Sequence, residues 1–123
     1  MQGFGNQKES KKNTKTKINN SIEEIITKAF NLHSQGKIHE ASKLYHSLIR
    51  QGFKDPRVFT NYAMIMNILG KPSEAELLIR KAIELKPDLV EGHFNLGAIL
   101  TKLGKFQEAE SFTRKAIELK PNH

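Results

Sequence analysis

The sequence predicts an all-α fold, an α-solenoid of three tandem helix-turn-helix repeats behind a short lysine-rich tail. Three observations predict it. The same residues return at a fixed period of 34, a glycine-lysine pair stands at the same place in each copy, and apolar residues recur at helical spacing. Since a single helix pair cannot cover its own apolar face, such units gain stability by stacking on their neighbours.

The period of 34 residues is free of gaps. Glycine-lysine pairs begin at Gly36, Gly70 and Gly104, and a glutamate-alanine pair starts three residues after each lysine. The octapeptide RKAIELKP occurs at 80–87 and again at 114–121. These matches assign the repeats to residues 22–55, 56–89 and 90–123, which together form a domain over 22–123.

The segment before the repeats, residues 1–21, is basic and polar. Its five lysines against Glu9 give it +4 of the formal +7 charge of the chain. Asn, Gln, Ser, Thr and Lys dominate it, and so little apolar surface predicts a disordered tail. Contact between such a tail and nucleic acid would be strongly salt-dependent, and we rank it last among the functions considered.

Each repeat contains start and stop signals for two helices. Ser21 with Glu24 forms a capping box that predicts the start of the first helix, and Asp55 before Pro56 predicts the start of the third. The repeated glycines predict the end of each first helix, because glycine adopts the left-handed conformation of a helix C-terminus. Pro87 and Pro121 mark the ends of the later second helices.

The second helices carry apolar stripes at three-to-four spacing, which predict packing faces. The stripe residues are Ala41, Leu44, Tyr45, Leu48, Ile49, Ala75, Leu78, Ile79, Ala82, Ile83, Ala109, Phe112, Ala116 and Ile117. Small residues keep register on both helices, at Ala29, Ala63 and Gly97 and at Ala41, Ala75 and Ala109. They predict closely packed antiparallel helix pairs.

The spacing, together with the run Asn95-Leu96-Gly97 and the downstream Gly104, Ala109, Ala116 and Pro121, resembles the tetratricopeptide repeat over residues 22–123. The chain departs from that pattern at two places. The family's common aromatic in the first helix is Ile25, Phe59 and His93 here, and its proline after the second helix is replaced by Phe53 in repeat one.

The resemblance implies a right-handed superhelix whose first helices line a concave groove that holds a peptide or helix of a partner protein. Matching the register to the family gives these groove candidates: Ile26, Phe30, His33, Arg57, Thr60, Asn61, Met64, Asn67, Glu91, Phe94, Asn95, Ala98 and Thr101. Apolar side chains such as Phe30, Met64 and Phe94 suit adaptable contacts, and the asparagines suit a peptide backbone. Packing between helices explains each of these residues about equally well.

One branch of the family grips the carboxylate at a chaperone's C-terminus with lysines, an arginine and asparagines. Only Asn61 matches that set here. Ile26 and Phe30 replace the lysine and asparagine of repeat one, while Glu91 and Asn95 replace the cations of repeat three. We therefore expect no tight binding of acidic chaperone tails.

The sequence gives no indication of catalysis, a cofactor or a metal. It contains no cysteine, phosphate loop or serine nucleophile motif. His33, His39 and His46 are spaced by six and seven residues, and this does not make the four-residue pair of a helical zinc site. We expect a protein that is not an enzyme, although it could serve as a targeting or regulatory module for one, such as a transferase.

Two further expectations concern location and self-association. No apolar run approaches the ~20 residues of a membrane span and no secretory signal is present, so we expect a cytoplasmic protein. Repeat three ends at His123 with no further helix, which would leave the outer face of its second helix uncovered. Phe112, Ile117 and Leu119 are therefore candidates for an interface with a second copy or a partner.

Overall fold

The structure, a computed structural model, describes the backbone of residues 3–120 and the side chains of residues 13–120. The described chain is helical, with six α-helices and no strand. They are α1 (Gly3–Ser34), α2 (Ile38–Arg50), α3 (Pro56–Ile68), α4 (Pro72–Leu85), α5 (Val90–Lys102) and α6 (Phe106–Leu119). The predicted succession of two helices in each of three repeats is confirmed.

The helices pack as pairs that stack in chain order. Within the repeats α1 packs on α2, α3 on α4 and α5 on α6, while α2 with α3 and α4 with α5 join adjacent repeats. The first helices also contact each other, α1 with α3 and α3 with α5. Over the described residues the backbones of the second helices do not approach one another in this way. The stack therefore curves with α1, α3 and α5 on its inner face.

Small residues let the helices of each pair approach closely. Ala29, Ala63, Ala41 and Ala75 are completely buried, and Ala109 is nearly so. A methyl group added at Gly97 would stand only 2.5 Å from the Thr113 hydroxyl, so α5 and α6 are closer here than an alanine allows. The core is continuous through all three repeats, as stacking of incomplete units requires.

The helix ends agree with the sequence at most positions. Gly36, Gly70 and Gly104 all have φ between +77° and +81°, the left-handed conformation predicted for them. The Asp55 carboxylate accepts a hydrogen bond of 2.9 Å from the Arg57 backbone N–H, which confirms the cap on α3. Repeat one ends differently, since α2 stops at Arg50 and Gly52, one residue before the position of the later prolines, adopts φ +87°. The predicted stop at Pro121 lies outside the described residues.

The first helix is longer than the capping box predicted. α1 runs from Gly3 through Ser21, so Ser21 is an interior residue and does not start a helix. No proline, and no glycine between Gly5 and Gly36, interrupts this stretch. Side chains 13–21 are all exposed, and a helix without tertiary packing is marginal in water. The disorder predicted for the tail, whose residues 1 and 2 lie outside the described chain, stays a prediction.

The outer face is linked by ion pairs between repeats two and three. Arg80 contacts Glu76, four residues earlier in its own helix, at 2.9 Å and reaches Glu108 of α6 at 2.7 Å. Lys105 closes the network on Glu76 at 3.0 Å. The hydrogen bonds from Lys105 and then Arg80 outweigh desolvation and lower the pKa of Glu76, so this carboxylate is ionised at neutral pH.

Candidate binding groove

The inner face contains a cavity of about 330 Å³ bounded by α1, α3 and α5 and the loop before α5. Its lining residues are Ile26, Thr27, Phe30, Arg57, Thr60, Asn61, Leu89 and Glu91. Six of the thirteen groove candidates thus meet at one place, drawn from all three repeats. The sequence reasoning missed Thr27, although it stands one period before Asn61. It also missed Leu89, because the candidates came from the first helices alone and Leu89 precedes α5.

The floor of the cavity is apolar and its rim is open. Ile26 and Thr60, which stand one period apart, are only 5% and 6% exposed. The Thr60 hydroxyl donates to the Pro56 carbonyl at 2.7 Å, so its polar group is satisfied inside α3. Phe30 is 53% exposed at the rim. An aromatic ring left half in water at a concave surface is a potential contact for a partner.

Arg57 is held by two carboxylates at one end of the cavity. Its guanidinium donates to both oxygens of Glu23 on α1, at 2.6 and 3.1 Å, and to both oxygens of Asp55, at 2.7 and 3.1 Å. Hydrogen bonds first to Asp55 and then to Glu23 raise the pKa of Arg57 above its ordinary value. The Glu23 pair joins equivalent positions of repeats one and two.

The same contacts keep both carboxylates ionised. The Arg57 side chain lowers the pKa of Glu23. Burial raises the pKa of Asp55, but hydrogen bonds from the Arg57 side chain and backbone outweigh it and leave that pKa below its ordinary value. The positive charge of Arg57 is therefore fully matched before any ligand arrives.

The asparagines of the groove present amides without partners. Among the described residues, the side chains of Asn61 and Asn95 make no hydrogen bond of ordinary geometry, and the buried Asn67 Oδ1 has none. Burial raises the pKa of Tyr45, whose hydroxyl is buried. The Asn61 amide offsets part of that rise, although the two groups fall short of hydrogen-bond geometry.

The remaining groove candidates lie on the same first helices but outside the cavity. Phe94 is 41% exposed on α5, and Ala98 and Thr101 are exposed further along that helix. The Thr101 hydroxyl donates to the Gly97 carbonyl at 2.9 Å. Met64 and His33 are half-buried. The inner face therefore continues from the cavity as a shallower strip with one exposed aromatic ring.

The three candidates for an interface at the open end, Phe112, Ile117 and Leu119, differ in their exposure. Phe112 is half-buried, with its ring stacked on His93 at 5.9 Å between centroids and the Arg80 guanidinium 5.4 Å from its centre. It therefore packs within the junction of repeats two and three. Ile117 is 53% exposed on α6, and Leu119 is half-buried. An interface at this face stays a prediction and now rests on Ile117.

The described residues contain neither a metal site nor a membrane span. No group of three or more His, Asp or Glu side chains within residues 13–120 has the geometry to hold a metal ion. None of the described helices combines the length and apolar character that a membrane span requires.

The fold defines a helical-repeat solenoid with a groove on its inner face. Models of the tetratricopeptide repeat match residues 56–89 and 90–123, which is more than half of the chain. The chain therefore belongs to the tetratricopeptide-repeat family. Comparison of the sequence with curated proteins gives no significant match.

Solved structures confirm the solenoid. The first tetratricopeptide domain of Spaghetti (RPAP3), bound to the HSP90 peptide SRMEEVD, is 26% identical, with a TM-score of 0.78 over 83% of this chain and 81% of that one. The first such domain of human RPAP3 is 27% identical, with a TM-score of 0.74 over 80% and 78%. The Yersinia enterocolitica secretion chaperone SycD, in complex with a peptide of the translocator YopD, has the same fold at 24% identity, with a TM-score of 0.78 over 84% and 79%.

Proposed function

We propose that this chain is a protein-interaction module that holds an extended segment of a partner protein in the groove of α1, α3 and α5. One observation carries the proposal: residues of three repeats converge on a single cavity, where the Asn61 amide makes no hydrogen bond of ordinary geometry with described residues and the Phe30 ring is half-exposed. An extended peptide has unpaired N–H and C=O groups, and an asparagine side chain can bond to both. The peptides bound by the similar domains of RPAP3 and SycD support a peptide-binding role.

The proposed role is non-catalytic and leaves chemistry to the partner. A groove of amides and apolar side chains can position a chain segment, and a partner enzyme recruited in this way would give the module a targeting or regulatory role. The cytoplasmic location and the low rank of nucleic-acid contact through the tail stay predictions.

A library of random displayed peptides, selected on the full chain, tests the proposal. We expect selected peptides whose affinity falls about tenfold when Asn61 is replaced by alanine, because an unsatisfied peptide amide in the complex costs about 1–3 kcal/mol. Affinity should be measured by fluorescence anisotropy with labelled peptide. The matched control is Leu77→Ala, which removes a 72% exposed side chain from the outer helix α4.

Either of two results would contradict the proposal. Selection on the folded chain yields no binding peptide, or the selected peptides respond to Leu77→Ala as strongly as to Asn61→Ala. Circular dichroism spectra of both variants separate a lost contact from a lost fold.

A second proposal concerns association of the chain with itself through the outer face of α6. The exposed Ile117 supports it, since 53% of this large apolar side chain lies in water on α6, whose backbone approaches only that of α5 among the described helices. We expect sedimentation equilibrium to detect a dimer as concentration rises, and Ile117→Lys to abolish it. Leu77→Lys, which places the same charge at an exposed leucine of α4, should leave the dimer intact. A wild-type chain that stays monomeric throughout the concentration series contradicts this proposal.

A further inference from the structure

The charge of the groove cavity is opposite to that of the chain. The chain carries a formal +7, whereas Arg57, Glu23, Asp55 and Glu91 give the cavity and its edge a balance of two negative charges. Arg57 is already matched by Glu23 and Asp55. Glu91 lines the cavity and makes no ion pair or hydrogen bond with any described side chain. The cavity therefore contains one carboxylate with no counter-charge.

The surroundings of that carboxylate are apolar. Ile26 forms the floor, Leu89 contributes one wall and the half-exposed ring of Phe30 forms part of the rim. Lysine and arginine side chains pack their aliphatic stems on surfaces of this kind while the charged end reaches an anion. An aromatic ring at the rim can also attract a cation lying over its face.

The size of the cavity limits what can enter. At about 330 Å³ it lies at the small end of the roughly 300–1,000 Å³ range of ligand pockets. It can accept one long side chain with part of a neighbour, and it is too small for the face of a helix. The free amide of Asn61 at its edge can bind the backbone of the segment that supplies this side chain.

We propose that the cavity takes a lysine or arginine side chain of an extended partner segment, that Glu91 pairs with its charge, and that a bulky apolar neighbour in the segment packs on Phe30. This inference rests on the proposed function and names the chemistry of the partner. The proposed ligand is basic, whereas the chaperone tail peptides considered above are acidic.

The peptide selection described above also tests this inference. We expect the selected sequences to share a lysine or arginine beside a large apolar residue. In a selected peptide, exchange of that basic residue for glutamate should weaken binding at least tenfold, and Glu91→Gln should weaken binding of the original peptide about threefold to fivefold. The acidic peptide SRMEEVD should bind more weakly than the selected peptides.

Charge reversal in the groove provides the sharpest comparison. Glu91→Lys should lower the affinity for the basic peptide at least tenfold and raise the affinity for its glutamate form. Glu118→Lys changes the net charge equally, but on the exposed surface of α6 away from the cavity, and should change neither affinity by more than about twofold. Glu91 is exposed and unpaired, so both variants should keep the wild-type circular dichroism spectrum.

The outcomes distinguish this inference from the function on which it rests. If selected peptides depend on Asn61 but share no basic residue, or if Glu91→Lys leaves their affinity unchanged, the inference is wrong and the groove proposal stands. If no peptide is selected at all, both are wrong. A preference for acidic peptides that Glu91→Lys strengthens overturns the inference alone.

Discussion

Replacing Ile79 by alanine should lower the free energy of unfolding by about 2–5 kcal/mol, since it removes a large apolar side chain from the core and leaves a cavity. Ile79 lies on α4 and is completely buried in the cluster that runs through all three repeats. A domain of this size has only about 5–15 kcal/mol of stability in total. The variant should therefore unfold at much lower urea concentration, as measured by circular dichroism.

The same helix supplies the control for this experiment. Leu77→Ala removes an equally large side chain that is 72% exposed, and we expect a change within about 0.5 kcal/mol. Ile79→Ala gains more helix propensity than Leu77→Ala, which favours the Ile79 variant, so a larger loss of stability at Ile79 reports burial. Equal losses of stability in the two variants would show that α4 does not pack as described.

Substitution of Gly97 by alanine is the second change with a large expected effect. The added methyl group would stand 2.5 Å from the Thr113 hydroxyl and 3.2 Å from the Ala109 carbonyl oxygen. Thr113 donates to that carbonyl at 3.0 Å, so moving its hydroxyl away breaks a hydrogen bond. Overpacking of this kind costs about 1–3 kcal/mol, which thermal unfolding can measure.

A second variant separates the clash from any other effect of the alanine. Thr113→Ala removes the hydroxyl that the new methyl group would meet. The double variant should therefore be more stable than the sum of the two single changes predicts, by about 1 kcal/mol. Strict additivity would place the cost of Gly97→Ala elsewhere than at the contact of α5 with α6.

The repeat register predicted most of the fold because the residues that define it act through local interactions. A glycine at the end of each first helix, an aspartate cap before Pro56 and small residues at matched positions each act within a few residues, and the structure has them as expected. The capping box at Ser21 was wrong because the same residue types also occur inside helices. Whether such a signal starts a helix depends on what precedes it, and no helix breaker stands directly before Ser21.

The groove was predicted in outline, and its details depend on contacts between repeats. The register placed Ile26 and Asn61 on one face, but it could not indicate that Arg57 would be matched by Glu23 one period earlier. It could not assign Phe112 either. The spacing of an apolar stripe places Phe112 on a packing face, whereas its contacts with His93 and Arg80 depend on how two repeats stack.

Ion pairs link the two junctions between repeats, one on the inner and one on the outer side of the curved stack. Arg57 links the first helices of repeats one and two through Glu23 on the inner face, and Arg80 links the second helices of repeats two and three through Glu108 on the outer face. An inner tie resists straightening of the array, while an outer tie resists tighter coiling. Since exposed ion pairs contribute at most about 1 kcal/mol, each of them adds only a small preference for the present geometry of its junction. Screening by salt would then loosen the two junctions in opposite directions, so the width of the groove would change along its length.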